Sequence, residues 1–138
     1  MNTNALATAI AAKASTIAAL RGRSAVVPDT LPASPWLVVG SHSATYEAGN
    51  MDRVRYTFPL RVYVERTADA GRTQTTVNDL VDAFVTAYRN GLTYGAIVAE
   101  GRITSWDTNL YAEVGEALYQ VIELSLFVLV TDTSGHTP

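Results

Sequence analysis

The sequence predicts an α+β fold, a mainly antiparallel sheet packed against two helices in the order helix, strand, strand, helix, strand, strand. Three observations carry this. Between residues 52 and 65, Val54, Tyr56, Phe58, Leu60, Val62 and Val64 alternate with Arg53, Arg55, Thr57, Pro59, Arg61 and Tyr63, the period of a strand with two unlike faces. Between residues 76 and 89, Val77, Leu80, Val81, Phe84 and Tyr88 fall on one helical stripe. Near the C-terminus two strand-like runs, 102–114 and 117–131, flank Gly115-Glu116, a pair of the length and type of a tight hairpin turn.

The remaining elements follow in chain order. Residues 2–20 read as a helix, with Leu6, Ile10, Ile17 and Leu20 at helical spacing, Asn2 or Thr3 as cap and Gly22 as stop. Pro28, Pro32 and Pro35 exclude helix and make 27–35 a connection of extended or turn geometry. A strand follows over 36–40, then a polar stretch, 41–50, closing on the turn signal Gly49-Asn50. Pro59 cannot donate to a ladder, so the 52–65 strand is expected at a sheet edge or with a bulge there. Residues 67–72 read as a loop, Thr76 and Asp79 as a capping box, and Asn90-Gly91 as the helix end. The last strand is apolar at its even positions apart from Gln120, and its odd positions include Tyr119, Val121, Phe127 and Leu129; a strand greasy on both faces is normally covered on both. One domain is expected over 1–133, with a disordered tail over 134–138.

The chain has 138 residues, 48% hydrophobic and 17% charged, with net charge −3. A chain of this size buries only about two-thirds of the surface its unfolded form exposes, so partners can complete the burial. The charge balance argues against general nucleic-acid binding or adsorption to an anionic membrane. It is uneven, however. No Asp or Glu precedes Asp29, while Lys13, Arg21 and Arg23 do, and Arg53, Arg55, Arg61 and Arg66 form a second basic cluster. The absence of cysteine excludes disulfides, thiolate zinc sites and cysteine nucleophiles. The first twenty residues do not read as a signal peptide, because no positive charge precedes the apolar stretch and Lys13 falls inside it. No run approaches the ~18 uncharged apolar residues of a membrane span.

The residues offer little for catalysis. His42 lies between Ser41 and Ser43, with Asp52 downstream, but sequence neighbours rarely form a triad and no G-x-S-x-G elbow is present. His42, Glu47 and Asp52 match no metal-ligand spacing, and glycines 91, 95 and 101 form no phosphate-binding loop. The expectation is no enzyme, no cofactor and no metal. The polar constellation with shape is Arg53, Arg55 and Arg61 on one strand face, with Tyr63 beside them. It reads as a solvated face, as a surface pairing with an acidic neighbour or, with least support, as a nucleic-acid contact. Tyr119, Phe127 and Leu129 on the odd face of the last strand make a second apolar surface. His42 and Glu47, in the polar stretch next to the arginine strand, join the expected docking surface.

The layout resembles the tail terminator proteins of long-tailed bacteriophages. The resembling features are the opening helix and the proline-marked approach Pro28-Asp29-Thr30-Leu31-Pro32-Ala33-Ser34-Pro35 into Trp36-Leu37-Val38-Val39-Gly40. Then come the charged strand ending Leu60-Arg61-Val62-Tyr63-Val64, one amphipathic helix and a closing apolar hairpin. The resemblance is one of layout and texture over most of the chain and carries no individual functional residue. It implies a homo-oligomeric, six-fold ring without an active site, assembled in the host cytoplasm into the virion tail. That ring would stop growth of the tail tube and meet the neck or connector protein. Other neck proteins share this size and texture. A small ligand-binding or enzymatic domain would need a pocket with convergent polar groups, and a DNA-contacting accessory protein would use the arginine face.

Overall fold

A computed structural model of the chain describes residues 3–24, 26–47, 50–89, 92–94 and 97–131. Its elements run α1 (Thr3–Ala14), β1 (Gly22–Ser24), β2 (Trp36–Val39), β3 (Ser43–Glu47), β4 (Asn50–Glu65), α2 (Ala70–Arg89), β5 (Leu92–Tyr94), β6 (Ile97–Val114) and β7 (Ala117–Thr131). Among the described residues the order is therefore helix, four strands, helix, three strands, and not the expected alternation of single helices with strand pairs. The fold is α+β. Six strands lie side by side as β1-β2-β4-β7-β6-β5, and β3 pairs with β4 beside β2. Every pairing is antiparallel except β1 with β2.

The two long strands dictated by alternation form the centre. β4 and β7 pair from Arg53 opposite Thr131 to Glu65 opposite Tyr119. Their matched periods bring Val54, Tyr56, Phe58, Leu60, Val62 and Val64 onto one face with Ile122, Leu124, Leu126, Val128 and Val130. Val77, Leu80, Val81, Phe84 and Tyr88 of α2, and Leu6, Ile10 and Ala14 of α1, cover that face. Each fully buried Leu, Ile or Phe contributes about 1.5–3 kcal/mol by transfer from water. The Tyr88 hydroxyl donates to the Ile10 carbonyl at 2.6 Å and ties the helices together.

Both helices differ from their expected limits, for local reasons. α1 ends at Ala14, six residues early. The hydroxyls of Ser15 and Thr16 donate to the carbonyls of Ala12 and Lys13, and the chain then tightens into three-residue turns through Leu20. α2 begins at Ala70, six residues before Thr76. Asp69 is the cap, its Oδ1 accepting from the Arg72 amide at 3.1 Å. Thr76 instead donates to the Arg72 carbonyl inside the helix. The expected cap Asn2, the Asn90-Gly91 stop and the 134–138 tail lie outside the described residues, as does Gly49 of the Gly49-Asn50 turn.

β4 is an interior strand, which corrects the edge reading of Pro59. The bulge alternative agrees with the register. Val39 stands opposite Leu60 and Ser43 opposite Thr57, four steps on one side against three on the other. The interruption at 40–42 sits beside Pro59, whose carbonyl accepts from the Gly40 amide at 2.8 Å. A residue's N and O point to the same side of a strand, so the donor that proline lacks would face this interruption. A Cβ on Gly40 would come 2.7 Å from Pro59 Cγ, which explains a glycine here.

The stretch 41–50 is thus largely a strand and not a loop. β3 has no apolar alternation to announce it, and Ser43 through Tyr46 are exposed. It exists because β4 continues past β2 and offers a free edge. β6 carries two further irregularities, between Ile103 and Ser105 and between Asp107 and Leu110. The buried Gln120 meets the second: its Nε2 donates to the Thr108 carbonyl at 2.8 Å. The one polar residue on the apolar face of the last strand is there to satisfy a bulge. Gly115, at φ 63°, closes the β6–β7 hairpin as expected.

Candidate functional site: the outer face of the sheet

Odd-numbered residues of β4 and β7 face away from the helices, and this outer face divides in two. At the hairpin end the connection between β1 and β2 folds back over it. Leu31 packs with Val38, Tyr63, Val114, Tyr119 and Val121 in a second core. The Tyr63 and Tyr119 rings meet edge to face at 6.2 Å. Both are buried, so they leave the candidate docking surface and serve the chain's own packing. Burial, and secondarily the Glu65 carboxylate, push the Tyr119 phenol above its ordinary pKa. Trp36 Nε1 donates to Ser24 Oγ at 3.0 Å and anchors the start of this covering segment.

The other half is open. Arg53, Arg55 and Arg61 lie on it as the alternation predicts. Phe127 is flanked by Thr57 on β4 and Arg102 on β6, and Leu129 by Arg55 and Glu100. The Arg55 guanidinium stands over the Phe127 ring, 5.3 Å from its centre. A groove of about 200 Å³ runs between this pair and Thr45 of β3. Arg61 Nε donates to Glu123 Oε2 at 3.0 Å, from the residue directly opposite on β7. The carboxylate facing Arg61 is therefore intramolecular. What remains is a half-buried apolar pair, Phe127 and Leu129, bordered by Arg55, Arg102 and Glu100.

His42 does not join this surface. Its ring packs 5.4 Å from that of Tyr56 and 5.3 Å from that of Phe58, both of which point to the helix side. There it borders a cleft of about 480 Å³ between α1 and the β2–β3 interruption, with Arg23, Ser24 and Ser41 on its rim and Phe58 at its floor. Glu47 lies in β3, opposite Asn50. The side chains of Glu47 and Asp52 lie outside the described part, and with them the metal and triad arrangements they would complete. Among the described residues no three His, Asp or Glu side chains gather as a metal site. No described helix is long and apolar enough to cross a membrane.

Sequence reasoning missed Arg102 and Glu100 as neighbours of Phe127 and Leu129. The alternation of β6 is broken twice, so its register against β7 cannot be counted from the turn. Comparison with known proteins adds no assignment: no family model matches the chain, and no curated protein matches it.

Proposed function

We propose that this chain is a structural assembly subunit of the kind that caps a phage tail tube, a ring-forming virion protein docking between tube and neck. The observation that carries the reading is the split outer face. β7 carries large apolar residues on both sides, and the chain covers those at the hairpin end of its outer side, Tyr119 and Val121, with its own Leu31 segment. The Phe127–Leu129 half stays open beneath Arg55. An apolar pair rimmed by arginine and carboxylate is the composition of a protein-docking patch, with aromatic and Arg side chains at its centre. In this reading Arg53, Arg55, Phe127 and Leu129 meet the tube or connector protein, and the subunit carries no chemistry of its own. A different neck protein of the same particles would use the patch in the same way.

The test is incorporation into tails. Phe127→Asp with Leu129→Asp should yield folded protein by circular dichroism that no longer enters tails, and Arg55→Glu should reduce entry several-fold. Folded Phe127→Asp/Leu129→Asp protein that still incorporates normally would remove this face from the mechanism.

One observation favours a second reading, a ligand-binding domain. The cleft beside His42 combines an apolar floor with Arg23, Ser24 and Ser41, a mixture suited to a small organic anion. A melting shift with small carboxylates or phosphates, abolished by Arg23→Ala, would support it.

A further inference from the structure

The β6–β7 hairpin leaves large apolar side chains in the open. Trp106 is 52% exposed, Tyr111 54% and Leu118 45%. Cross-strand partners share a face. Trp106, Tyr111 and Glu113 of β6 stand opposite Leu124, Gln120 and Leu118 of β7, so all of them lie on the helix side of the sheet. α2 passes beside this shelf, where Gln74 Oε1 accepts from the buried Gln120 amide at 3.3 Å, and leaves it uncovered. The Leu31 segment lies on the opposite face, packed with Val114 and Tyr119, and Asp29 and Thr30 rest against the Gly115 turn.

The strand that bears this shelf also has a free edge. β5 pairs with β6 only at residues 97–99, so among the described residues β6 has a partner on one side alone from Glu100 onward. Val114 and Ala117 close the two-residue turn and bond to each other. Counting back from that pair, Glu113 and Tyr111 turn their N–H and C=O groups away from β7. Such groups, two residues apart, are what an added strand pairs with. The edge is acidic: Glu100, Asp107, Glu113 and Glu116 fall on β6 and its turn, against Arg102 alone. Asp107 Oδ1 accepts from the Asn109 amide at 2.8 Å. Among the described residues Glu113 and Glu116 meet no cation. Tyr111 already carries one guanidinium, that of Arg66 at 5.4 Å from its ring centre, and among the described residues the Trp106 ring carries none.

We propose that the β6 edge from Trp106 to Glu113 binds an extended, arginine-bearing segment of another protein, added to the sheet as a further strand. Backbone bonds at Tyr111 and Glu113 hold it. Its side chains alternate between the two faces. On the helix side its arginines lie over Trp106 and against Glu113. On the other side its apolar residues lie beside Leu110, which is exposed and faces outward opposite Val121. A second copy of this chain is the poorer occupant, because β6 against β6 sets carboxylates against carboxylates. The inference stands apart from the tail reading and uses a surface distinct from the Arg55–Phe127 patch.

The probe is a short fluorescent peptide in which arginine alternates with valine, with a glutamate–valine peptide as control. Fluorescence anisotropy follows binding to the wild-type chain, to Glu113→Lys and to Trp106→Ala, and circular dichroism checks that each variant is folded. The basic peptide should bind several-fold tighter than the acidic one. It should lose several-fold in affinity in each variant and as salt is raised. Two further basic peptides carry N-methyl groups on alternate amides, one in each phase, and are tested on the wild-type chain. Methylation in one phase should abolish binding and in the other spare it, because an added strand pairs along one of its edges. Equal effects of the two phases would overturn strand addition. No preference for the basic peptide, or affinity unchanged in folded Glu113→Lys, would overturn the site. A wild-type chain that self-associates in sedimentation, and loses this in Glu113→Lys, would make the occupant a second copy and overturn the proposal.

Discussion

Arg61 and Glu123 face each other across the β4–β7 ladder, Nε donating to Oε2 at 3.0 Å. Their side chains are about half exposed, so the pair contributes about 0.2–1 kcal/mol, less in salt. Arg61→Glu opposes two carboxylates and should lower the urea midpoint. Adding Glu123→Arg should recover it. A double reversal no more stable than Arg61→Glu would show that the pair contributes nothing. Reversing Arg53, Arg55 and Arg61 together would mix this loss with any docking defect, so Arg55 is the cleaner probe of docking.

Tyr88 is the polar tie between the helices. Tyr88→Phe removes a buried hydrogen bond to the Ile10 carbonyl, which keeps the Ala14 amide of its own helix as donor, and should cost about 0.5–1.5 kcal/mol in chemical denaturation. Burial raises the Tyr88 phenol well above its ordinary pKa, Arg23 opposing only in part. A raised folded pKa means its contribution is complete below the unfolded value of about 10 and declines as pH rises above it. Alkaline titration should therefore show a tyrosinate fraction that appears only with unfolding and is missing in Tyr88→Phe.

Leu31 holds the connection onto the second core. Leu31→Ala should destabilise by about 2–4 kcal/mol. It should also uncover Tyr63 and Tyr119, which dye binding or tyrosine fluorescence would report. A variant with unchanged midpoint and no new dye binding would mean that the segment does not seal this half of the sheet.

Gly40 and Pro59 share one small space. Gly40→Ala places Cβ 2.7 Å from Pro59 Cγ and should cost about 1–3 kcal/mol. Pro59→Ala in the same chain removes the clashing atom and should recover part of that loss. Additive losses in the pair would show that the glycine answers some other constraint.

Much of this was legible in the sequence. β4, β7 and the stripe of α2 follow from local period, because each buries a face set by its own spacing, and β6 follows from the Gly115-Glu116 turn that returns it against β7. The arginine row could be placed on one face of one strand by counting. His42 and Tyr119 could not be placed in this way. His42 turns to the helix side because the ladder gains a residue beside Pro59, and Tyr119 is sealed by a segment that passes over the sheet from eighty-odd positions earlier.

By itself, then, the sequence determined the fold class, the central strands, the hairpin at Gly115 and the inward faces of β4, β7 and α2. These depend on neighbours two to four residues apart. Tertiary structure alone decided the strands β1, β3 and β5, the interior place of β4, the pairing of Arg61 with Glu123, and which half of β7 stays open. Those depend on which edge is free and on the register across two bulges. Burial and pairing between distant segments settle such features, and no local pattern records them.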